Sequence, residues 1–239
     1  MLIIPAIDII NNKIVRLQKG NFYDITYYNK TLIEYANLFN KYDIKWLHLI
    51  DLLASKNGCF NIANTIVEIK KETDLSLQVG GGVRNYQDFE ERINLGVDRV
   101  IVGTLSVKNK PNFERICGNY SNEKIIVAVD VLDDDIMIKG WTENSKIKLS
   151  EHLKYCVDLG IEIFLCTDIS KDGMLKGPNF DMYEKLQQEF PKLKFIASGG
   201  ISKTKDIIKL KEMNMYATVV GKAIYENKIT IEELKEIGS

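Results

Sequence analysis

"VGGGVR" (Val79–Arg84) and "ASGGIS" (Ala197–Ser202) each set glycines directly after a short apolar run, and the central residues Gly81 and Gly199 lie 118 positions apart. The same interval separates Gly103 of "VIVGT" from Gly221 of "TVVGK". Acids that close apolar runs follow with a small drift: Asp130 of "VAVD" comes 122 positions after Asp8 of "PAID", and Asp168 of "LCTD" comes 117 after Asp51 of "HLID". A nearly constant interval across several motifs is the mark of an internal repeat. It predicts two homologous halves, roughly 1–122 and 123–239.

Around these motifs, short β-branched runs predict strands at Ile3–Asp8, Trp46–Asp51, Leu75–Val79, Arg99–Val102, Ile125–Asp130, Ile163–Thr167, Phe195–Ala197 and Thr218–Val220. Between them, Leu32–Tyr42, Ile62–Glu72, Gln87–Leu95, Leu149–Leu159, Met182–Phe190 and Thr204–Met213 carry apolar residues at helical spacing. Several runs lack polar alternation, as expected of strands covered on both faces, so they should be parallel with right-handed connections. No linker rich in Pro, Gly or Ser divides the chain. Eight such units in one domain, 1–239, predict an α/β fold: a single (β/α)8 TIM barrel built from two homologous half-barrels, a fold that typically takes about 250 residues.

Composition narrows the function. Lys+Arg 32 against Asp+Glu 33 leaves a net charge of -1, which offers no broad basic surface for nucleic acid or an anionic membrane. "MLIIPAIDII" has no basic segment ahead of its apolar residues and carries Asp8, so it reads as a strand of a cytoplasmic protein, neither signal peptide nor membrane span. Cys59, Cys117, Cys156 and Cys166 form no CxxC pair and are expected as free thiols. With only His48 and His152 present, neither a His-rich metal site nor a Ser-His-Asp triad has enough material. No metal is expected.

A strand that ends in glycines and leads into a helix leaves backbone N–H groups open to a phosphate. The loops after strands seven and eight of such barrels frequently bind one; here these are Gly199, Gly200, Gly221 and Lys222, and the repeat supplies an equivalent set, Gly81, Gly82, Gly103 and Thr104. Glycines can also serve turns alone, but repetition at equal offset favours two phosphate sites. They imply an elongated, bisphosphorylated small molecule. Between the sites, Asp8 and Asp130 end opposed strands at the catalytic face, where two carboxylates can divide acid and base roles. A non-catalytic phosphate-ligand sensor would not need the paired acids.

"IIPAIDIINNKIVRLQKGNF", "LHLIDL", "LQVGGGVR", "RVIVGT", "VAVD", "TDISKDGMLKGPN", "ASGGIS" and "VVGKA", in order over nearly the whole chain, resemble the ProFAR isomerase family of histidine biosynthesis. The sibling cyclase of imidazole glycerol phosphate synthase typically reads Cys-Leu-Asp where this chain has Ala6-Ile7-Asp8, and Lys where Arg16 stands. Many family members read Asp-Gly-Ala where this chain has Leu53-Ala54-Ser55, and Thr at Met174. The resemblance implies an Amadori rearrangement of an aminoaldose to an aminoketose, with no cofactor. Asp8 would be the general base and Asp130 the acid, with Asp172, beside Thr167, the competing acid or a group that orients substrate. The alternatives are a dual-substrate relative that also isomerises phosphoribosylanthranilate, and the sibling cyclase itself.

Further substrate-binding candidates are Lys19 and Arg84 as loop cations, Trp141 as a platform for the aminoimidazole ring or as packing under its loop, and Gly177. His48 is expected in a polar layer of the barrel, and His152 on a helix surface. "QKGNFYDITYY", "LDDDIMIKGWTEN" and "SKDGMLKGPN" are long for such connections and are expected to be loops that close over substrate. The protein is expected to act as a monomer.

Overall fold

A computed structural model of the chain describes residues 1–18 and 20–238. In chain order the strands are β1 (Leu2–Ile10), β2 (Lys13–Gln18), β3 (Asn21–Tyr27), β4 (Trp46–Asp51), β5 (Ser76–Gly80), β6 (Arg99–Val102), β7 (Ile125–Leu132), β8 (Asp135–Ile138), β9 (Glu143–Lys148), β10 (Ile163–Asp168), β11 (Lys194–Ser198) and β12 (Ala217–Val220). The helices are α1 (Leu32–Lys41), α2 (Leu52–Asn57), α3 (Ala63–Glu72), α4 (Tyr86–Asn94), α5 (Thr104–Lys108), α6 (Lys110–Asn119), α7 (Leu149–Asp158), α8 (Phe180–Glu189), α9 (Thr204–Glu212), α10 (Lys222–Tyr225) and α11 (Ile231–Gly238). Eight strands pair in parallel in the order β1, β4, β5, β6, β7, β10, β11, β12, and β12 returns to β1. Each apolar run read from the sequence becomes one stave of this closed (β/α)8 TIM barrel.

Successive side chains of a strand point to opposite faces. The interior cluster takes Leu2, Ile4 and Ala6 of β1, while Ile3, Ile7 and Ile9 of the same strand join the larger cluster between barrel and helices. Ile126, Ile163, Leu165, Ile196, Ala217 and Val219 fill the interior from other staves. The N-terminal end is stoppered by Arg99, whose guanidinium lies 4.1 Å from the Trp46 ring and donates to the Tyr216 hydroxyl at 2.8 Å.

Two of the three stretches expected to be loops are largely strands. β2 and β3 form an antiparallel hairpin on β1, and β8 and β9 form one on β7. The turns that join β1 to β2 and β7 to β8 are two-residue connections with positive φ at both positions, Asn11 and Asn12 (50° and 59°) and Asp133 and Asp134 (50° and 71°), the backbone that Asn and Asp tolerate in type I′ hairpins. Each hairpin begins at the same place in its half: Asp8 pairs with Val15, and Asp130 with Met137.

His152 also departs from expectation. It is 3% exposed, on the face of α7 that meets α5, where its ring lies within hydrogen-bond distance of the Ser106 hydroxyl, at 2.9 Å. His48 does sit in a polar layer inside the barrel, 2.8 Å from the Gln78 side-chain amide.

Gly118 lies in α6 without positive φ, and an added Cβ would meet nothing within 4 Å. Gly81 has φ 110°, and a Cβ there would collide with the Asp51 carbonyl oxygen. Gly118→Ala is therefore expected to stabilise the fold by about 0.5–1 kcal/mol in urea or thermal unfolding. Gly81→Ala is expected to destabilise by more than that gain.

Candidate active site

The C-terminal ends of the staves open into a cavity of about 860 Å³. Strand parity decides which acids reach it. Asp8 continues the inward series Leu2, Ile4, Ala6; Asp130 continues Ile126 and Ala128; Thr167 continues Ile163 and Leu165. Asp51 and Asp168 end their strands on the opposite parity and serve as local caps. Asp51 accepts the backbone N–H groups of Ala54 and Asn61, both at 2.9 Å. Asp168 accepts from Ser170 and from the Asn179 side chain at 2.7 Å.

The wall brings together most of the candidates: Asp8, Asp130, Thr167 and Asp172; Gly81, Gly82, Gly103 and Thr104; Gly199, Gly200, Gly221 and Lys222; Arg84 and Trp141. Gly177 is not in the wall. Its N–H donates to the Gly200 carbonyl at 2.9 Å and its own carbonyl crowds Gly200, so it shapes the glycine turn from behind. Lys19 lies outside the described residues.

Arg16, on the hairpin strand beside β1, is the side chain that the candidate set lacked. Its guanidinium donates through Nη1 to Asp8 Oδ2 and through Nη2 to Asp172 Oδ1, both at 2.7 Å. All three side chains are at most 15% exposed. One cation thus serves two carboxylates in a nearly dry site. Burial raises the Asp8 carboxyl above its ordinary range, Arg16 opposes that, and the Asp172 charge adds to it. The alternation in "KIVRLQ" and the Asn-Asn turn before it were the sequence signals that could have turned Arg16 toward β1.

Asp130 is pushed up to about 6, chiefly by burial; the Trp141 and Thr167 side chains favour its ionised form and the Asp172 charge opposes it. His48 is pushed down to about 3 by burial and by the Arg16 charge. It is neutral at physiological pH, and the Gln78 amide donating to Nδ1 leaves the ring proton on Nε2.

The glycines fall into two kinds. Those of the GG turns have positive φ, between 71° and 110°, and at Gly81 and Gly200 neighbouring backbone occupies the place of a side chain. Gly103 and Gly221 have negative φ (−107° and −114°). A Cβ there would meet nothing closer than 3.8 and 3.4 Å, respectively. With ψ of −98° and −92° both residues lie outside the regions that residues with a side chain populate, so the turn itself favours glycine, and the missing side chain also leaves the recess open.

Three segments meet over the mouth. The Lys139 N–H on the β8–β9 hairpin donates to Thr104 Oγ1 at 2.9 Å, and Lys222 Nζ donates to the Gly173 carbonyl of the loop after β10 at 3.0 Å. Trp141 lies so close to the β2–β3 turn that a Cβ on Gly20 would stand 2.6 Å from its ring.

A neutral imidazole, a carboxyl poised near 6 and two carboxylates on one guanidinium are equipment for moving protons, which puts the molecule in the class of TIM-barrel acid–base enzymes. Comparison with known proteins makes the class specific. The chain belongs to the family described as histidine biosynthesis protein, whose family model matches residues 2–230. It is 40% identical to the 1-(5-phosphoribosyl)-5-((5-phosphoribosylamino)methylideneamino) imidazole-4-carboxamide isomerase of Francisella philomiragia over 240 residues, which covers 99% of this chain and 100% of the relative. Isomerases of the same name from Flavobacterium johnsoniae (40% identical; 98% of each chain) and Clostridium acetobutylicum (41%; 98% of this chain and 97% of the relative) match as well.

A carboxyl that titrates near 6 in the folded protein and near 3.8 in the unfolded chain binds more protons when folded, so its contribution to stability falls as pH rises from about 4 to 6. Asp130→Asn is accordingly expected to stabilise the protein at pH 8, by up to about 3 kcal/mol, and hardly at pH 4. Denaturant unfolding at the two pH values measures this.

Proposed function

We propose that the chain converts the aminoaldose ProFAR to the aminoketose PRFAR in histidine biosynthesis, by acid–base catalysis with no cofactor. The observation that carries this reading, beside full-length identity to isomerases of that name, is the set of coupled carboxylates Asp8, Asp172 and Asp130 between two glycine recesses in one cavity.

Chemically, an acid protonates the ring oxygen of the aminosugar, and the C1–O bond breaks to give a protonated imine. A base then removes the C2 proton, forming an enolamine. Return of a proton to C1 and loss of the C2 hydroxyl proton leave the ketone. Every proton taken is returned, so no oxidant or reductant enters. Asp8 is the base in this reading. Asp130 is the acid, supported by its elevated pKa of about 6, which keeps a proton on it in weakly acidic solution. A second reading gives the acid role to Asp172, because Arg16 ties it directly to Asp8. In that case the ion pair must loosen when substrate enters.

The recesses at Gly81, Gly82, Gly103 and Thr104 and at Gly199, Gly200, Gly221 and Lys222 would take the two phosphates, with Arg84 as an added cation. Trp141, which lines the cavity, would pack on the aminoimidazole ring. The reading extends to one domain made of two half-barrels, roughly 1–122 and 123–239, that works as a cytoplasmic monomer. Among the described residues no helix is long and apolar enough to cross a membrane.

Asp8→Asn is expected to lower kcat by about 10²–10⁴-fold while KM stays within about tenfold, because the base acts in the transition state. Unchanged kcat with lost affinity would exclude the base role. With Asp130 as acid, the alkaline limb of the wild-type kcat/KM profile has its midpoint near 6, and Asp172→Asn retains that limb. If Asp130→Asn retains it, the acid is Asp172. Assaying phosphoribosylanthranilate alongside reads the dual-substrate alternative directly.

A further inference from the structure

His152 has no part in the chemistry above, yet its contacts lead to the first recess. Its Nε2 lies 2.9 Å from Ser106 Oγ, and that hydroxyl donates to the Gly103 carbonyl at 2.8 Å. The Ser106 backbone N–H reaches the same carbonyl at 3.0 Å. A hydroxyl has one proton, and Gly103 takes it, so the Ser106 oxygen must accept from His152. That places a proton on Nε2, and the imidazole is neutral. Burial keeps it so, holding the ring's pKa down at about 4.

We infer that His152 is a positioning residue for the first recess, acting through Ser106 to hold the Gly103–Thr104 peptide with its N–H toward the ligand. The inference rests on the reading that this recess takes a phosphate. In a trans peptide the C=O and N–H point in opposite directions. With the Gly103 oxygen pinned toward the α5 side by two donors, the Thr104 N–H faces away from them, and both residues belong to the cavity wall.

The other half of the barrel makes the same turn without the brace. Gly221 (φ −114°, ψ −92°) repeats Gly103 (φ −107°, ψ −98°), and the Ile224 N–H donates to its carbonyl at 2.9 Å. Ile224 stands where the repeat interval places Ser106, and it has no hydroxyl. That recess has Lys222 where the first has Thr104. One half supplies a cation, the other a peptide held in place by a buried histidine.

The test is steady-state kinetics with ProFAR on Ser106→Ala, His152→Leu, the double variant and His152→Gln, with thermal midpoints measured on each. Turnover by wild type is read first and judges the functional reading alone. Ser106→Ala and His152→Leu are expected to raise KM about tenfold, the size of one weakened hydrogen bond to a charged group, with kcat within twofold. The double variant should match the single ones, since all break one chain of contacts. His152→Gln, which keeps a donor, should recover part of the loss. A KM unchanged in Ser106→Ala while the thermal midpoint falls would reduce the contact to core packing, and additive KM effects in the double variant would break the proposed relay. If wild type shows no turnover, calorimetric titration with inorganic phosphate replaces the assay. Ser106→Ala should then weaken one binding event and spare the other, and identical titrations would overturn the proposal.

Discussion

Closing eight parallel strands into a barrel gives each side chain on a stave two destinations, the interior or the helix layer, and fixes them by alternation. Everything at the site follows from that constraint. Leu2, Ile4 and Ala6 commit β1 to a register in which the next inward residue is Asp8, and Ile126 and Ala128 do the same for Asp130. Shifting either register by one residue would put its acid among the helices and an isoleucine or valine at the mouth. The lower interior is packed with apolar side chains and stoppered by Arg99 among Trp46 and Tyr216. Open, polar space is left at the C-terminal end.

The mouth then faces an electrostatic problem. Three carboxylates converge there, and a buried charge without a partner is costly. Arg16 answers for two of them at 2.7 Å each, while Asp130, which has no cation of its own among the described residues, is pushed toward its neutral form. The incomplete neutralisation is what makes the site useful for proton transfer: full pairing would hold every carboxyl ionised, and dry burial alone would hold every one protonated. The hairpin that brings Arg16 is thus as much a part of the site as the staves. Its counterpart on β7 carries Trp141 to Asp130 from the other side.

Which features were legible depended on their range. The repeat interval, the eight apolar runs and the strand-end acids are local patterns, and the staves formed where those patterns stood. The hairpins were written just as locally, in Asn11-Asn12 and Asp133-Asp134 between alternating residues, but the nearby glycines suggested loops. Arg16 and His152 were hidden for a different reason. Arg16 acts on Asp172 across 156 positions, and His152 on Ser106 across 46, and no periodicity encodes a meeting of that kind. For His152 the helical pattern of α7 even misleads, since its wide apolar stripe leaves the boundary residues free to turn either way.

The glycines that opened the sequence reading show how one residue type can carry two meanings in a repeated motif. Gly81 and Gly200 are glycine because backbone from the neighbouring loop stands where a side chain would be, so their recurrence reports a shared way of turning a strand into a helix. Gly103 and Gly221 have negative φ and room for a methyl group, but their ψ of −98° and −92° takes them outside the regions that residues with a side chain populate, so there glycine serves the torsions of the turn rather than a close approach. What the two positions share is a place in the cavity wall. The repeat in the sequence is thus in large part a folding constraint, and at Gly103 and Gly221 it falls in the cavity wall. The halves keep the folding constraint closely, as the matched torsions show, while the residue beside each open glycine has changed from Thr104 to Lys222. The two halves of the barrel retain their turns because closure demands them, and each recess is free to be equipped differently because closure does not.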